Sequence, residues 1–235
     1  MLGGRIRRMW SRLKGAGTQT ALPPGGTEPP TTPRDRPLPL SIRQEAEWVF
    51  HWETEGSTGN LPLLPRLTGP LRPVALLFAV RDVIARHESL RTRFPFEAGE
   101  PVQVFESPGV AVPPLVDLGG LDPEARRAEV LRIEAEAVGH RFDPAGAPPV
   151  RVALLRLDPA DHGLLLCISH LAADLWSMSL LTGDLRTCYE ASSTGRPAKL
   201  PPVRPQQADH GVWERAYWTA DRTSSELRRW QRRLA

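Results

Sequence analysis

The residue types best placed for chemistry fall in one run, Ser169-His170-Leu171-Ala172-Ala173-Asp174-Leu175-Trp176-Ser177. An apolar stretch, Gly163 to Ile168, leads into it, and a helical pattern follows. This order predicts a histidine where a buried strand stops and a loop begins, a place where a rigid scaffold presents a side chain to a ligand. Asp174 lies four residues on and offers a partner or an orienting charge. Ser169, His170 and Asp174 together suggest a hydrolytic triad. Adjacent Ser and His rarely align for that role, and no Gly-x-Ser-x-Gly elbow is present. His162, His170 and Asp174 suggest metal ligands, but nothing at recognisable spacing completes the set, so no metal is expected. The plain alternative is a histidine that only hydrogen-bonds locally.

The elements that must position this run are legible from periodicity. Ser41 to Trp52 reads as a helix with Ser41 as N-cap and Glu45 near the third position. Leu61 to Leu67 is a strand interrupted by Pro62 and Pro65, which suits a sheet edge. Pro73 to His87 is a helix with an apolar stripe that includes Val74, Leu77, Phe78 and Ile84. His87 and Glu88 are read as its end, with His87 against the last carbonyls. Leu90 to Phe94 and Pro101 to Phe105 are strands joined by a hairpin connection. Asp122 to His140 is a helix, opening with Asp122-Pro123-Glu124, a strong N-terminus signal. Val150 to Leu157 and Gly163 to Ser169 form an antiparallel pair about Asp158-Pro159-Ala160-Asp161-His162. A helix from Leu175 to Ser192 and helical material from Ala208 to Ala235 complete the chain. The expected class is an α/β (α+β) sandwich, with helices on a mixed, largely antiparallel sheet.

Composition narrows the function classes. The 235 residues carry a net charge of +3, but residues 1–36 hold seven basic and two acidic residues. The remainder is therefore slightly acidic, and the basic isoelectric point belongs to the extension. No basic stripe with interleaved aromatics marks the body, so no nucleic-acid partner is expected. Residues 15–39 are rich in Gly, Pro and Thr, and residues 1–36 are read as a flexible basic tail before a domain over 37–235. No apolar run approaches the ~20 residues of a membrane helix, and no signal-peptide core follows the basic start. Cys167 and Cys188 read as reduced, apolar-like thiols, and a cytoplasmic location is expected.

Four segments together resemble the condensation domains of nonribosomal peptide synthetases, within the chloramphenicol-acetyltransferase-like acyltransferases. Ser41-Ile42-Arg43-Gln44-Glu45-Ala46-Glu47-Trp48 matches the opening helix motif at Ser41, Gln44 and Trp48, with Ala46 and Glu47 in place of the usual Arg and Leu. Arg86-His87-Glu88-Ser89-Leu90-Arg91-Thr92-Arg93-Phe94 matches completely. Arg141-Phe142-Asp143-Pro144 through Arg151 is similar to the segment entering the strands before the active site. The run around His170 keeps the second histidine and the aspartate of the family signature, with Ser169 for the first histidine and Leu175 for the glycine. Gln207 to Trp213 keeps the Asp and Trp of a later motif.

The resemblance covers about residues 37–235, the family's N-terminal subdomain, one wall of a tunnel closed by a second subdomain. It implies amide formation between carrier-protein thioesters, with substrates on phosphopantetheine arms and no cofactor bound directly. It implies His170 as the catalytic residue, acting as base or amine positioner, a kind of catalysis worth roughly 10²–10⁴-fold. Ser169, Asp174 and Arg91 become supports, with Asp174 paired to Arg91, a link whose loss would cost about 3–5 kcal/mol. A glycine at position 175 would permit backbone conformations closed to leucine. Partners would be carrier proteins or a complementary C-terminal subdomain. The rival is a non-catalytic remnant or accessory module that binds a carrier protein or a partner subunit.

Overall fold

Strong local signals start most of the helices. Ser41 Oγ accepts the Gln44 N–H, and the Gln44 side chain accepts the Ser41 N–H, a reciprocal cap that opens α1 (Ile42–Glu53). Gln44 takes the third-position role expected of Glu45. The structure, a computed structural model, describes residues 29–54, 59–109 and 113–234. Most of the basic tail, residues 1–28, lies outside them. Residues 32–34, assigned from sequence to that tail, are in contact with the domain. The Thr32 N–H and the Arg34 guanidinium both bond Asp209, and Arg34 also meets Glu88.

Helix α2 (Pro73–Arg86) starts on proline and buries Leu76, Ala79, Val80, Val83 and Ile84. Val74 and Phe78, placed in its stripe from sequence, are exposed. The helix is apolar on more than one face, so periodicity alone did not fix which face turns inward; Arg81 lies over the Phe78 ring. Helix α3 (Pro123–Val138) is capped by Asp122, which accepts from the Glu124 and Ala125 N–H groups. Helix α4 (Leu175–Ser193) buries Met178, Leu181, Leu185 and Cys188. Helices α5 (Gln207–Tyr217) and α6 (Ala220–Leu234) follow.

Two sheets are present among the described residues. In the larger, β8 (Val150–Asp158) and β9 (Asp161–Ser169) pair antiparallel, with a register shift between Arg156 and Asp158. The proline-bearing stretch near residue 62 splits into β2 (Asn60–Leu63) and β3 (Arg66–Thr68), both antiparallel to β9, with β2 at the sheet edge. Strand β7 (Leu115–Asp117), absent from the sequence reading, pairs β8 in parallel. In the smaller sheet β1 (Leu38–Pro39), β4 (Thr92–Arg93) and β5 (Phe96–Glu97) all pair with β6 (Glu100–Phe105). Of the strand expected at Leu90–Phe94, Thr92–Arg93 is strand β4, while Leu90 and Arg91 belong to a 3₁₀ turn, Glu88–Arg91.

Strand β9 is apolar because both its faces are covered. Leu164, Leu166 and Ile168 pack with α2 and α4, while Leu165 and Cys167 pack with Ala137 and Phe142 on the side of α3. The two-residue alternation of a strand divides the run between the layers. Helix α2 is joined to α4 through Asp184, which meets both Arg86 and His87 at 2.8 Å. His87 therefore reaches a carboxylate on the neighbouring helix, where terminal carbonyls were expected, because Asp184 lies across from the helix end.

Candidate functional site

The candidate site lies at the end of β9. The Ala172 N–H bonds Ser169 O at 2.9 Å, and Ser169 Oγ accepts from the Leu171 N–H at 3.4 Å, so the chain turns immediately after the strand. The His170 N–H bonds Gly59 O at 2.9 Å. From the other side, Gln44 Nε2 donates to Leu171 O at 3.0 Å. Helix α1, the strand end and the segment before β2 thus hold one loop. Gly59 has φ +92°, and a Cβ there would lie 3.7 Å from His170 Cβ. Glycine accepts that backbone, which strains other residues. Trp48 Nε1 bonds Phe94 O at 3.0 Å and fixes α1 to the smaller sheet.

The half-buried His170 side chain lines a cleft with Glu47, Phe50, His51, Gly59, Ser169 and Leu171. Glu47, Phe50, His51 and Gly59 were not singled out as site residues from sequence. The signal for three of them was spacing: positions 47, 50 and 51 fall one turn apart on α1, beside its buried stripe. Burial, and then the charge of Arg141, pushes the His51 imidazole below its ordinary value, against the opposing influence of Asp143.

Asp174 is an N-cap. Its Oδ1 accepts the Ser177 N–H at 2.8 Å, while its own N–H bonds Ser177 Oγ at 3.2 Å. The Ser177 hydroxyl and amide hold its carboxyl below the usual carboxylate range, with a smaller contribution from His170. The expected pairing with Arg91 is corrected. Arg91 lies on the 3₁₀ turn, donates to Glu106 O at 2.7 Å and has Glu88 at 3.7 Å. Winding at Glu88–Arg91 aims the guanidinium at the smaller sheet, while Asp174 faces its own helix.

The correction changes the expected result. Asp174→Ala removes an exposed helix cap, so the free energy of unfolding should fall by about 1 kcal/mol, well short of the loss expected for a broken buried pair. Urea unfolding of the two proteins checks it.

Leu175 is the first residue of α4 and is 82% exposed. Among the described residues only Ala98 combines a side chain with positive φ, so leucine at 175 adopts ordinary backbone and does not line the cleft. The alternatives weighed from sequence also separate. His162 and His170 sit at opposite ends of β9, and no cluster of three metal-ligating side chains occurs among the described residues. Both cysteines are buried and free. Cys167 donates to Ala137 O, and burial pushes its thiol up to about 11.

With its sheets, covering helices and histidine-bearing strand end, the chain belongs to the condensation-domain family, whose profile matches residues 35–235. Its solved neighbours have the chloramphenicol-acetyltransferase-like fold. It is 35% identical to the chondramide synthase of Chondromyces crocatus over 216 residues, covering 89% of this chain and 6% of that synthase. The X-domain from teicoplanin biosynthesis, also solved in complex with OxyB, is 32% identical with a TM-score of 0.69, covering 82% of this chain and 40% of that one. The cyclization-docking bidomain EpoB of Sorangium cellulosum shares the fold, with a TM-score of 0.73 at 23% identity, over 99% of this chain and 44% of that one. The chain thus spans less than half the length of these relatives. No helix among the described residues is long and apolar enough to cross a membrane.

Proposed function

We propose that this chain supplies the His170-bearing wall of a condensation site that joins two carrier-protein-bound substrates in nonribosomal peptide synthesis. The acceptor amine attacks the donor thioester carbonyl, a C–N bond forms, the C–S bond breaks, and the amine proton passes by way of His170 to the departing thiolate. The observation that supports this reading is the family match across residues 35–235 with His170 held at the head of a cleft. Ser169 braces the turn beneath it. The substrates ride on phosphopantetheine arms, and a second subdomain closes the site.

Helix α6 fits that arrangement. Leu227, Trp230 and Leu234 form an exposed stripe flanked by Arg228, Arg229, Arg232 and Arg233. Such a stripe is the usual mark of an unfilled interface. The test combines two loaded carrier proteins with the chain, alone and together with a polypeptide supplying the rest of the fold. Dipeptidyl thioester formed only in the second mixture is the expected result, and no product in either overturns the proposal.

A second reading draws on the X-domain likeness. That domain is solved in complex with OxyB, and here Leu175, Trp176 and Leu180 are exposed beside the His170 loop. On this reading the chain is a non-catalytic docking module for a partner protein, and its binding would be lost on substituting Trp176 while insensitive to His170.

A further inference from the structure

We infer that Glu47 makes the His170 cleft a receptor for a cationic amino group. The inference rests on the reading of that cleft as a substrate site and adds which chemistry it selects.

Among the described residues that line the cleft, Glu47 is the carboxylate; the others are Phe50, His51, Gly59, Ser169, His170 and Leu171. Leucine is usual at this position of the opening helix motif, so the charge is a property of this chain. The Glu47 side chain is only 16% exposed, and a partly desolvated carboxylate attracts a cation more strongly than one in water. Its present counter-charge is Arg43, one turn earlier on α1, whose side chain is 73% exposed. Such a surface pair is worth about 0.2–1 kcal/mol, so an incoming cation can replace it.

The lining itself adds little positive charge, although Arg141, outside the lining, acts on His51 and opposes a cation. His51 is displaced below its ordinary value by burial and by Arg141, and so adds little positive charge at neutral pH. Phe50 also lines the cleft, and a phenyl side chain is compatible with a neighbouring ammonium group. A metal ion is a poorer occupant, because no three ligating side chains cluster among the described residues.

A cationic amino group reaches such a cleft from two sources: the α-amine of an acceptor, or a basic side chain. The test titrates the whole chain with three N-acetylcysteamine thioesters. The glycyl probe carries an α-amine, the Nα-acetyl-lysyl probe carries only a side-chain ammonium, and the N-acetylglycyl probe carries no cation. Binding is read from the His170 imidazole proton resonance, assigned with His170→Asn.

At least one cationic probe is expected to bind about fivefold or more tightly than the uncharged one. Glu47→Gln should abolish that preference and Glu47→Leu should repeat the result, both with unchanged melting curves. Arg43→Ala should act in the opposite direction and tighten cation binding. Whichever cationic probe binds identifies the source. Equal binding of all three probes, no response to any, or a preference that survives Glu47→Gln overturns the inference. A failure to form product with carrier proteins while the charge-dependent titration persists would count against the catalytic proposal alone.

Discussion

Replacing Arg34 with alanine should lower the free energy of unfolding by about 3–5 kcal/mol, the cost of stranding one partner of a buried ion pair. Arg34 Nη1 lies 2.8 Å from Asp209 Oδ1, Nε lies 2.8 Å from Glu88, and the guanidinium rests over the Phe105 ring. Asp209 is 2% exposed and also accepts the Thr32 and Gln206 N–H groups. Without Arg34 a carboxylate remains buried with amide donors and no counter-charge. Burial would raise the Asp209 carboxyl, but Arg34 and the two amides outweigh it and hold the carboxyl below its ordinary value. Because the folded value is depressed, the unfolded chain binds more protons as the medium becomes acidic. The stabilisation is therefore complete above the ordinary aspartate value near ~3.9 and is lost as pH falls through the folded value. Urea midpoints at neutral and acidic pH should converge for the two proteins as acid is added. A wild-type advantage that stays constant into strong acid would refute this account.

His170→Ala should reduce condensation by roughly 10²–10⁴-fold, the span of a lost general acid–base group. Its effect on stability should be small. The side chain is only half-buried, and the bonds that hold the loop run through main-chain atoms and Gln44, which survive the substitution. Single-turnover product formation, measured beside the melting curve, separates the two effects. A rate within a few-fold of wild type, in a mixture where wild type is active, would move the reading to the docking module.

Both predictions depend on parts of the molecule that differed in legibility. The strand-then-histidine order around residue 170 was readable because β9 is covered on both faces and is apolar from Leu164 to Ile168. The caps at Ser41 and Asp122 were readable because hydroxyl and carboxyl side chains at helix starts act locally. Strand β7 was not readable: three residues paired in parallel to β8 leave no periodic trace. The Arg91–Asp174 pairing carried over from family resemblance failed because a 3₁₀ turn redirects Arg91 and a nearby serine engages Asp174. Arg34 was passed over since it lies among Pro, Thr and other charged residues, and its partner is 175 positions away. The cleft charge at Glu47 was visible as a departure from the motif, but its approach to His170 depends on how α1 packs.

The separation of Arg34 and Asp209 also bears on the order of folding events. Closing a loop of 175 residues carries an entropy cost that rises with the logarithm of its length. The α2–α4 contacts and the β8–β9 hairpin form over shorter separations and need no help from the N-terminal strap. Docking of residues 32–34 is therefore expected on the native side of the folding barrier. Interactions made after the barrier govern how fast a protein opens, with little influence on how fast it forms. Loss of about 3 kcal/mol there corresponds to roughly a hundredfold faster opening. Residues 32–34 are then expected to act as a latch on the native lifetime, which Arg34→Ala unfolding and refolding rates would read separately.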